Sequence, residues 1–325
     1  MMSVSASKIV DAAPAGRGGT DPSARSRVEP QLKDLMALIR PASLLPSWAR
    51  SIRANQSGGY LSALKGRGME YDESRPYQVG DDIRTLDWRV TARTGRPHTK
   101  LFREERERPV YVCTVFAASM FFATRGVFKS VQAARAAALI AWKAQQSGDR
   151  VGGLVLSLNS HHELPPERGK PAVSRLLKKM VEAGRLPADG SPFAGSGTLA
   201  AAAARLKRLA KPGSLVFIIS DFRELDEALE SDLVHLSRHC DLTLLFVYDP
   251  FEAALPTAAT QARVTDGRTD ITIKFGDEKS SRLYVEHFND RYGRIAKLCR
   301  DYRILQGKLA TTDDPLAVVQ RTLAL

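Results

Sequence analysis

The chain has 325 residues, of which 43% are hydrophobic and 26% are charged, and its formal net charge is +12. This composition is ordinary for a globular protein and excludes a disordered chain, a collagen and a coiled coil. The excess positive charge is spread along the chain, since residues 1–108 and 109–325 each carry +6, whereas nucleic-acid binders usually concentrate positive charge in a stripe. A basic nucleic-acid-binding module is therefore an alternative that the charge distribution disfavours.

The N-terminal third of the chain predicts a tail followed by a small module. Residues 1–30 are rich in Ala, Ser, Gly and Arg without periodicity, which is typical of a disordered tail. Leucines at helical spacing between residues 31 and 40 predict a short amphipathic helix. Alternating side chains at 88–93 and 99–103, separated by a Gly- and Pro-containing turn, predict strands. We therefore expect a helix and a β-rich module over residues 31–108.

From residue 109 onward, apolar runs alternate with helical patterns. The predicted strands cover residues 110–115, 151–158, 215–219, 242–247 and 304–309, and the predicted helices cover 129–147, 171–183, 198–210, 225–237, 280–301 and 314–323. Asp266 and Gly267 mark the turn of a hairpin inserted near residues 260–275. This alternation predicts an α/β fold over 109–325, with a doubly wound, mainly parallel sheet and helices on both faces.

Polar residues follow the predicted strands at the places where a ligand site is expected. Ser119 comes shortly after the first strand, Thr198 opens a helix, and Asp221 follows the strand at 215–219. In open α/β sheets, ligands bind beyond the carboxyl ends of the strands. These three side chains are therefore the candidate binding residues of the sheet.

The chain also resembles a known family. The strand ends and the helix start resemble a von Willebrand factor A-type domain, which has a Rossmann-type fold, and the run at 66–88 is similar to the signature of the domain of unknown function 58 family. The residues that carry the resemblance are Ser119-Met120, Gly197-Thr198, Ile219-Ser220-Asp221-Phe222, Gly66 to Trp88, Thr91-Ala92-Arg93, Lys100, Lys129-Ser130, Gly148 to Gly152 and Thr311 to Leu316. The resemblance extends over about residues 58–323.

The resemblance implies a partner and a role. Members of the family accompany MoxR-type AAA+ ATPases, so we expect a non-enzymatic adaptor that works with such an ATPase and its client proteins. The expected role lies in assembly, maturation or remodelling of protein complexes. The chain has no GxxxxGK[ST] phosphate-binding loop of its own, so ATP energy would have to come from the partner. The client and the oligomeric state are not predicted.

The resemblance also implies a metal-ion-dependent adhesion site, which this sequence has partly lost. Ser119, Thr198 and Asp221 match the last Ser, the separate Thr and the separate Asp of that site, but Val115 and Ala117 stand where its first Asp and first Ser are expected. Mg²⁺ requires near-octahedral oxygen ligands, usually including carboxylates. Two interpretations remain open: the three residues cap helices and bond to each other, or a weak Mg²⁺ site persists. No other cofactor is expected.

A charged block in the N-terminal module also has two interpretations. Its members are Glu70, Arg75, Tyr77, Asp81, Asp82, Arg84, Asp87, Trp88 and Arg93. In the first, the charged members form buried or half-buried pairs that stabilise a module with a thin core. In the second, the block is a docking surface for the ATPase or its client, with Trp88 and Tyr77 as anchors.

No catalytic motif is recognisable, so we expect no enzyme. A metal-dependent hydrolase that uses Asp221 and the acidic turn at Asp81 and Asp82 is the alternative, but a single carboxylate at a strand end is a poor basis for a two-metal site. The sequence contains no run of about 20 apolar residues, no signal-peptide segment and no disulfide framework among its three cysteines. These features predict a cytoplasmic protein.

Overall fold

The structure, a computed structural model, describes residues 22–48, 69–104, 108–157, 160–186, 198–254, 261–265, 270–274 and 278–324. Their contacts divide into two compact units. The α/β unit contains residues 22–48 and everything described from residue 108 onward, and the small unit contains residues 69–104. Residues 31–48 therefore belong to the α/β unit, and their predicted place in the N-terminal module is wrong.

The elements follow one another along the chain as helices and strands. The helices are α1 (Pro22–Val28), α2 (Leu32–Ala37), α3 (Ile39–Ala42), α4 (Trp88–Thr94), α5 (Lys129–Gln146), α6 (Gly169–Ala183), α7 (Leu199–Leu209), α8 (Glu227–His239), α9 (Pro250–Ala253), α10 (Glu278–Tyr302) and α11 (Pro315–Leu323). The strands are β1 (Met69–Pro76), β2 (His98–Glu104), β3 (Pro109–Phe116), β4 (Arg150–Ser157), β5 (His161–Glu167), β6 (Leu215–Ser220), β7 (Asp241–Tyr248), β8 (Gln261–Thr265), β9 (Asp270–Lys274) and β10 (Leu305–Ala310).

Six strands form one sheet in the order β10-β7-β6-β3-β4-β5. All neighbouring pairs are parallel except β4 with β5, which is antiparallel. The inner strands are apolar and buried along almost their whole length, as expected for strands covered on both faces. The prediction of an α/β fold with a mainly parallel sheet is confirmed.

Two hydrophobic cores cover the two faces of the sheet. One contains α5, α6 and α11, and the other contains α7, α8 and α10. Helix α5 is rich in alanine and buried on nearly every side, because the sheet lies against it on one side and α3 and α11 pack against it on others. Trp142 of α5 donates its indole N–H to the carbonyl of Leu35 at 3.0 Å. This contact attaches α2 to the core.

Strand β5 was not predicted from the sequence. Its residues alternate between exposed and half-buried positions and include two adjacent prolines, which confine it to the edge of the sheet. Gly152 of β4 allows the close approach of β5, since a Cβ there would lie 2.8 Å from the carbonyl oxygen of Leu164. The polar composition of β5 gives no strand-like sequence pattern. Its strand conformation is recognised from the pairing with β4.

Two more predictions differ from the structure at local turns and ends. Residues 88–93, predicted as a strand, lie in α4, because the carboxylate of Asp87 caps the helix at the amides of Arg89 and Val90, and Gly95 ends it with φ of 71°. Part of the predicted tail is helical, since α1 covers Pro22–Val28. Residues 1–21 and the hairpin turn at Asp266 lie outside the described residues, but β8 and β9 form the predicted antiparallel hairpin.

The fold brings the carboxyl ends of β3, β6 and β7 side by side. The N-terminus of α5 and the short helix α9 also lie at this edge, which we call the upper edge of the sheet. None of the described helices combines the length and the apolar character that a membrane span requires.

Candidate functional site

A cluster of buried charged side chains occupies the upper edge of the sheet. Asp221 follows β6, Glu252 lies in α9 after β7, and Lys129 is the first residue of α5. All three are buried, and the side chain of Lys129 is 0% exposed. The cluster therefore joins three segments that are far apart in the sequence.

Lys129 binds both carboxylates directly. Its Nζ atom lies 2.9 Å from Oδ2 of Asp221 and 2.9 Å from Oε1 of Glu252. A buried ammonium group is stable only where opposite charges and hydrogen bonds replace its hydration. The two carboxylates meet that requirement, so the lysine and its partners stabilise one another.

Arg223 forms a second bridge between the same carboxylates. Its Nη2 lies 2.5 Å from Oε1 of Glu252, and its Nε lies 3.4 Å from Oδ2 of Asp221. The buried residue between the two charged positions, Phe222, has φ of 49°. This left-handed conformation costs about 1–2 kcal/mol for a residue other than glycine, and the surrounding contacts must hold it in place.

A hydrogen-bonded network links Glu252 to the ends of β7 and β10. Oε2 of Glu252 accepts the backbone N–H of Asp249 at 3.2 Å, and the Asp249 carboxylate caps α9 at the amide of Phe251. The same carboxylate accepts the hydroxyls of Thr124 at 2.5 Å and Thr311 at 2.7 Å. The charged cluster therefore has a supporting shell that positions Glu252.

The electrostatic balance keeps both carboxyl groups ionised. Burial by itself would raise the pKa of Asp221, but nearby cations, Lys129 first among them, outweigh it and lower the pKa below 3.8. The pKa of Glu252 is lowered from 4.5 by the same balance of burial and cations. Burial and the charge of Glu252 raise the pKa of Tyr284 to about 12. At neutral pH the cluster therefore consists of fixed charges and neutral hydroxyls.

Arg291 of α10 is a third positively charged residue that acts on Asp221 and Glu252. Its guanidinium lies over the rings of Phe246 and Phe288, at 5.4 Å and 5.6 Å from their centroids. Burial lowers its pKa, while the charges of Asp221 and Glu252 raise it. These contacts bring the aromatic side of the second core up to the charged cluster.

The three residues predicted for the metal site have different hydrogen-bond partners. Ser119 bonds to the Asp221 carboxylate. The Thr198 hydroxyl instead accepts the backbone N–H of Ala201 at 3.1 Å and caps α7. No hydrogen bond joins Thr198 to Asp221 within the described part of the chain. Val115 is buried in the second core, packed among apolar side chains.

The donor set does not fit a divalent cation. Asp221 is the only carboxylate that the predicted site retains, and the ammonium of Lys129 already occupies its Oδ2 atom. Within the described residues, no group of three or more His, Cys, Asp or Glu side chains could hold a metal ion. The positive charge that a metal would supply beside Asp221 comes from Lys129 and Arg223.

The charged block of the small unit divides into inward and outward members. Arg75 pairs with Asp81 at 2.6 Å, and the carboxylates of Asp82 and Asp87 cap helical turns. The exposed members are Arg84, Trp88 and Arg93, whereas Tyr77 is half-buried and the side chain of Glu70 lies outside what the structure describes. Among the described residues, the predicted charge pairing is therefore found for Arg75 with Asp81 and is wrong for Arg84 and Arg93, which are exposed.

Sequence reasoning missed Lys129, Arg223, Glu252 and Arg291 as members of the site. One signal was present, because Asp249 and Glu252 have the spacing of a capping box after a strand. A lysine at the start of an alanine-rich helix gives no sign that it will be buried. The partners of Asp221 therefore became visible only in the folded chain.

Comparisons with known proteins place the chain among relatives without an assigned activity. The family described as "Protein of unknown function DUF58" matches residues 73–292. Uncharacterized proteins of Mycobacterium bovis and Mycobacterium tuberculosis are each 31% identical to the chain over 199 residues. This matched segment covers 61% of the chain and 61% of the length of each relative.

Proposed function

Since the chain belongs to the DUF58 family of proteins of unknown function, we propose that it is a non-enzymatic interaction protein of the von Willebrand factor A type. It works with a MoxR-type AAA+ ATPase in the assembly, maturation or remodelling of protein complexes. The family resemblance supports the partnership. The mainly parallel sheet with polar groups at the carboxyl ends of β3 and β6 supports the domain type.

The observation that carries the proposal is the closed charge cluster at the upper edge of the sheet. Its central groups, Lys129, Asp221 and Glu252, are buried and bonded to one another. A general acid, a general base or a nucleophile must instead reach a substrate within hydrogen-bond distance. Mutually bonded groups stabilise the loops of the upper edge, which favours a binding role over a catalytic one.

The same cluster supports partner binding without a metal bridge. An adhesion site of the metal-dependent type needs a cation with a free coordination position for a carboxylate of the partner. Here the carboxylate that would hold the cation is neutralised by Lys129 and Arg223. Binding at the upper edge then depends on shape and hydrogen bonds.

Co-purification tests the proposal. The tagged protein is coexpressed with the MoxR-type ATPase encoded in its genomic neighbourhood and captured without nucleotide, with ADP and with a non-hydrolysable ATP analogue. We expect the ATPase to be retained in at least one nucleotide state, and its yield to be unchanged by EDTA in the nucleotide-free sample. An unrelated AAA+ ATPase of the same host serves as the control.

Two results would contradict the proposal in different ways. Failure to retain the ATPase in all three nucleotide states would remove the partnership. Retention that EDTA abolishes in the nucleotide-free sample would instead show that a metal bridges the partners. A positive screen for metal-dependent hydrolysis that Asp221→Ala abolishes would favour the hydrolase alternative.

A further inference from the structure

Exposed hydrophobic side chains are concentrated in the small unit. Among the described residues, six large hydrophobic side chains are exposed, and three of them, Val79, Ile83 and Trp88, lie within ten consecutive positions. Val79 is fully exposed, Ile83 is 66% exposed and Trp88 is 68% exposed. Single exposed hydrophobic residues are common on protein surfaces, whereas exposed hydrophobic side chains that form a contiguous patch mark interaction sites.

Acidic side chains hold the backbone of this segment in place. Asp81 accepts the amide of Gln78 at 2.9 Å and the guanidinium of Arg75 at 2.6 Å, which fixes the turn that presents Val79. Asp82 caps the 3₁₀ turn that begins at Ile83. The exposed side chains are therefore presented by a bonded backbone, which reduces the entropy lost on binding.

The start of α4 is held in the same way. Asp87 accepts the amides of Arg89 and Val90, each at 3.2 Å, and the hydroxyl of Ser74 at 2.8 Å. The hydrogen bond from Ser74 lowers the pKa of Asp87, so the cap stays ionised at neutral pH. Trp88, the next residue along the chain, is thereby placed at a fixed position on the surface.

The exposed charges of this segment are all positive. Arg84, Arg89, Arg93 and Arg96 are exposed, whereas each of the three aspartates between residues 78 and 97 is buried or half-buried. The guanidinium groups of the first three arginines have no ion-pair partner among the described residues. Because the aspartates are engaged in these hydrogen bonds, the exposed side chains of this segment are hydrophobic and basic.

We propose that this surface binds an acidic protein segment that carries hydrophobic side chains. We call it the Trp88 surface, and its members are Val79, Ile83, Arg84, Trp88, Arg89 and Arg93. The inference adds a docking surface for the ATPase on the small unit to the binding at the upper edge that the proposed function describes, and therefore rests on that function. Trp and Arg are the residue types that most often dominate the binding energy of protein interfaces.

The composition of the surface favours a protein over a nucleic acid. Single-stranded nucleic acids bind to successive aromatic side chains on which their bases stack. The Trp88 surface has one exposed aromatic ring, and its other hydrophobic members, Val79 and Ile83, are aliphatic. Aliphatic groups gain most by burial against other apolar side chains.

Binding of variants to the purified ATPase tests the inference. Affinity is measured by biolayer interferometry in the nucleotide state that retains the ATPase. We expect Trp88→Ala to weaken binding by about 30-fold or more and the double charge reversal Arg89→Glu with Arg93→Glu to weaken it by at least about tenfold. The binding should also weaken as the salt concentration rises.

Matched variants on the α/β unit serve as controls. Arg208→Glu with Lys211→Glu makes the same charge change at two exposed positions, and Tyr302→Ala removes another exposed ring. These variants should bind within about twofold of the wild type, since substitutions outside an interface have little effect. Circular dichroism and thermal melting confirm that each variant is folded before its affinity is compared.

The outcomes separate this inference from the proposed function. If the wild type binds the ATPase and the Trp88 surface variants bind equally well, the docking surface is wrong while the partnership stands. If the wild type does not bind, the proposed function fails and the inference fails with it. If the wild type binds a single-stranded 20-nucleotide DNA and Trp88→Ala abolishes that binding, the surface is a nucleic-acid site instead.

Discussion

Among single residues, Lys129 has the largest effect on the upper edge, because it neutralises the carboxylates there. It places one positive charge between two buried carboxylates, at 2.9 Å from each. A divalent cation and a lysine both neutralise carboxylates, but only the cation leaves a coordination position free for a partner. The lysine therefore makes the upper edge a self-contained cluster of buried charges.

Replacing this lysine should destabilise the protein strongly at neutral pH. We expect Lys129→Met to lower the free energy of unfolding by about 3–5 kcal/mol at pH 7, because it leaves two buried carboxylates without their balancing positive charge.

The stability of the wild type should fall as the pH drops below the ordinary carboxyl pKa values of about 4, since the folded-state pKa values of Asp221 and Glu252 are lower. In the variant, the folded-state pKa values of Asp221 and Glu252 should be higher than in the wild type. Protonation at lower pH then removes the buried negative charge that the lysine no longer balances. Urea denaturation between pH 7 and pH 4 should show the difference narrowing.

Lys178→Met is the matched control for this prediction. Lys178 is exposed on α6, so its replacement should change the free energy of unfolding by less than about 0.5 kcal/mol at every pH. A difference between Lys129→Met and wild type that stays constant with pH would show that the carboxylates do not depend on the lysine.

Helix α4 shows at the scale of elements how one capping residue can override a strand-like pattern. Trp88, Val90 and Ala92 alternate with polar residues as in a strand. The Asp87 cap satisfies two amides at the start of the helix, and Gly95 accommodates the left-handed residue at its end. Since α4 has seven residues, its stability depends on these end contacts more than on its own propensity.

Removal of the cap should unfold α4 locally. Asp87→Ala should cost about 1–2 kcal/mol and speed hydrogen exchange of the α4 amides by about tenfold. Asp87→Asn should restore most of the protection, because an asparagine side chain also accepts the capping hydrogen bonds. Exchange measured by mass spectrometry on peptides covering 86–95 checks this. Equal protection in the alanine variant would mean that other contacts hold the helix.

The division into units is a property of the whole molecule. Helices α2 and α3 precede the small unit in the chain, but they pack on α5 and α6 of the α/β unit. Trp48 adds a hydrogen bond from its indole N–H to Asp149 at 2.9 Å. The small unit is thus inserted between two segments of one α/β unit and is not a domain that precedes it.

Two neighbouring residues of α2 test this division. Leu35 is 1% exposed and belongs to the first hydrophobic core, whereas Met36 is 37% exposed. Leu35→Ala should lower the free energy of unfolding of the α/β unit by about 2–5 kcal/mol, and Met36→Ala should change it by less than about 0.5 kcal/mol. Thermal unfolding followed by near-ultraviolet circular dichroism reports the packing of the aromatic side chains, Trp142 among them. Equal effects of the two variants would place α2 outside the core.

The amino-acid sequence is enough to predict the α/β class, most element positions and the polar strand ends. It can do so because continuous apolar strands and helical periodicity are local consequences of burial on two faces. Folding determines which charges come into contact, since Lys129 and Asp221 are 92 residues apart in the chain. It also determines that α2 belongs to the α/β unit and that β5 pairs with β4. Such contacts depend on distances across the fold, and no local pattern of residues encodes them.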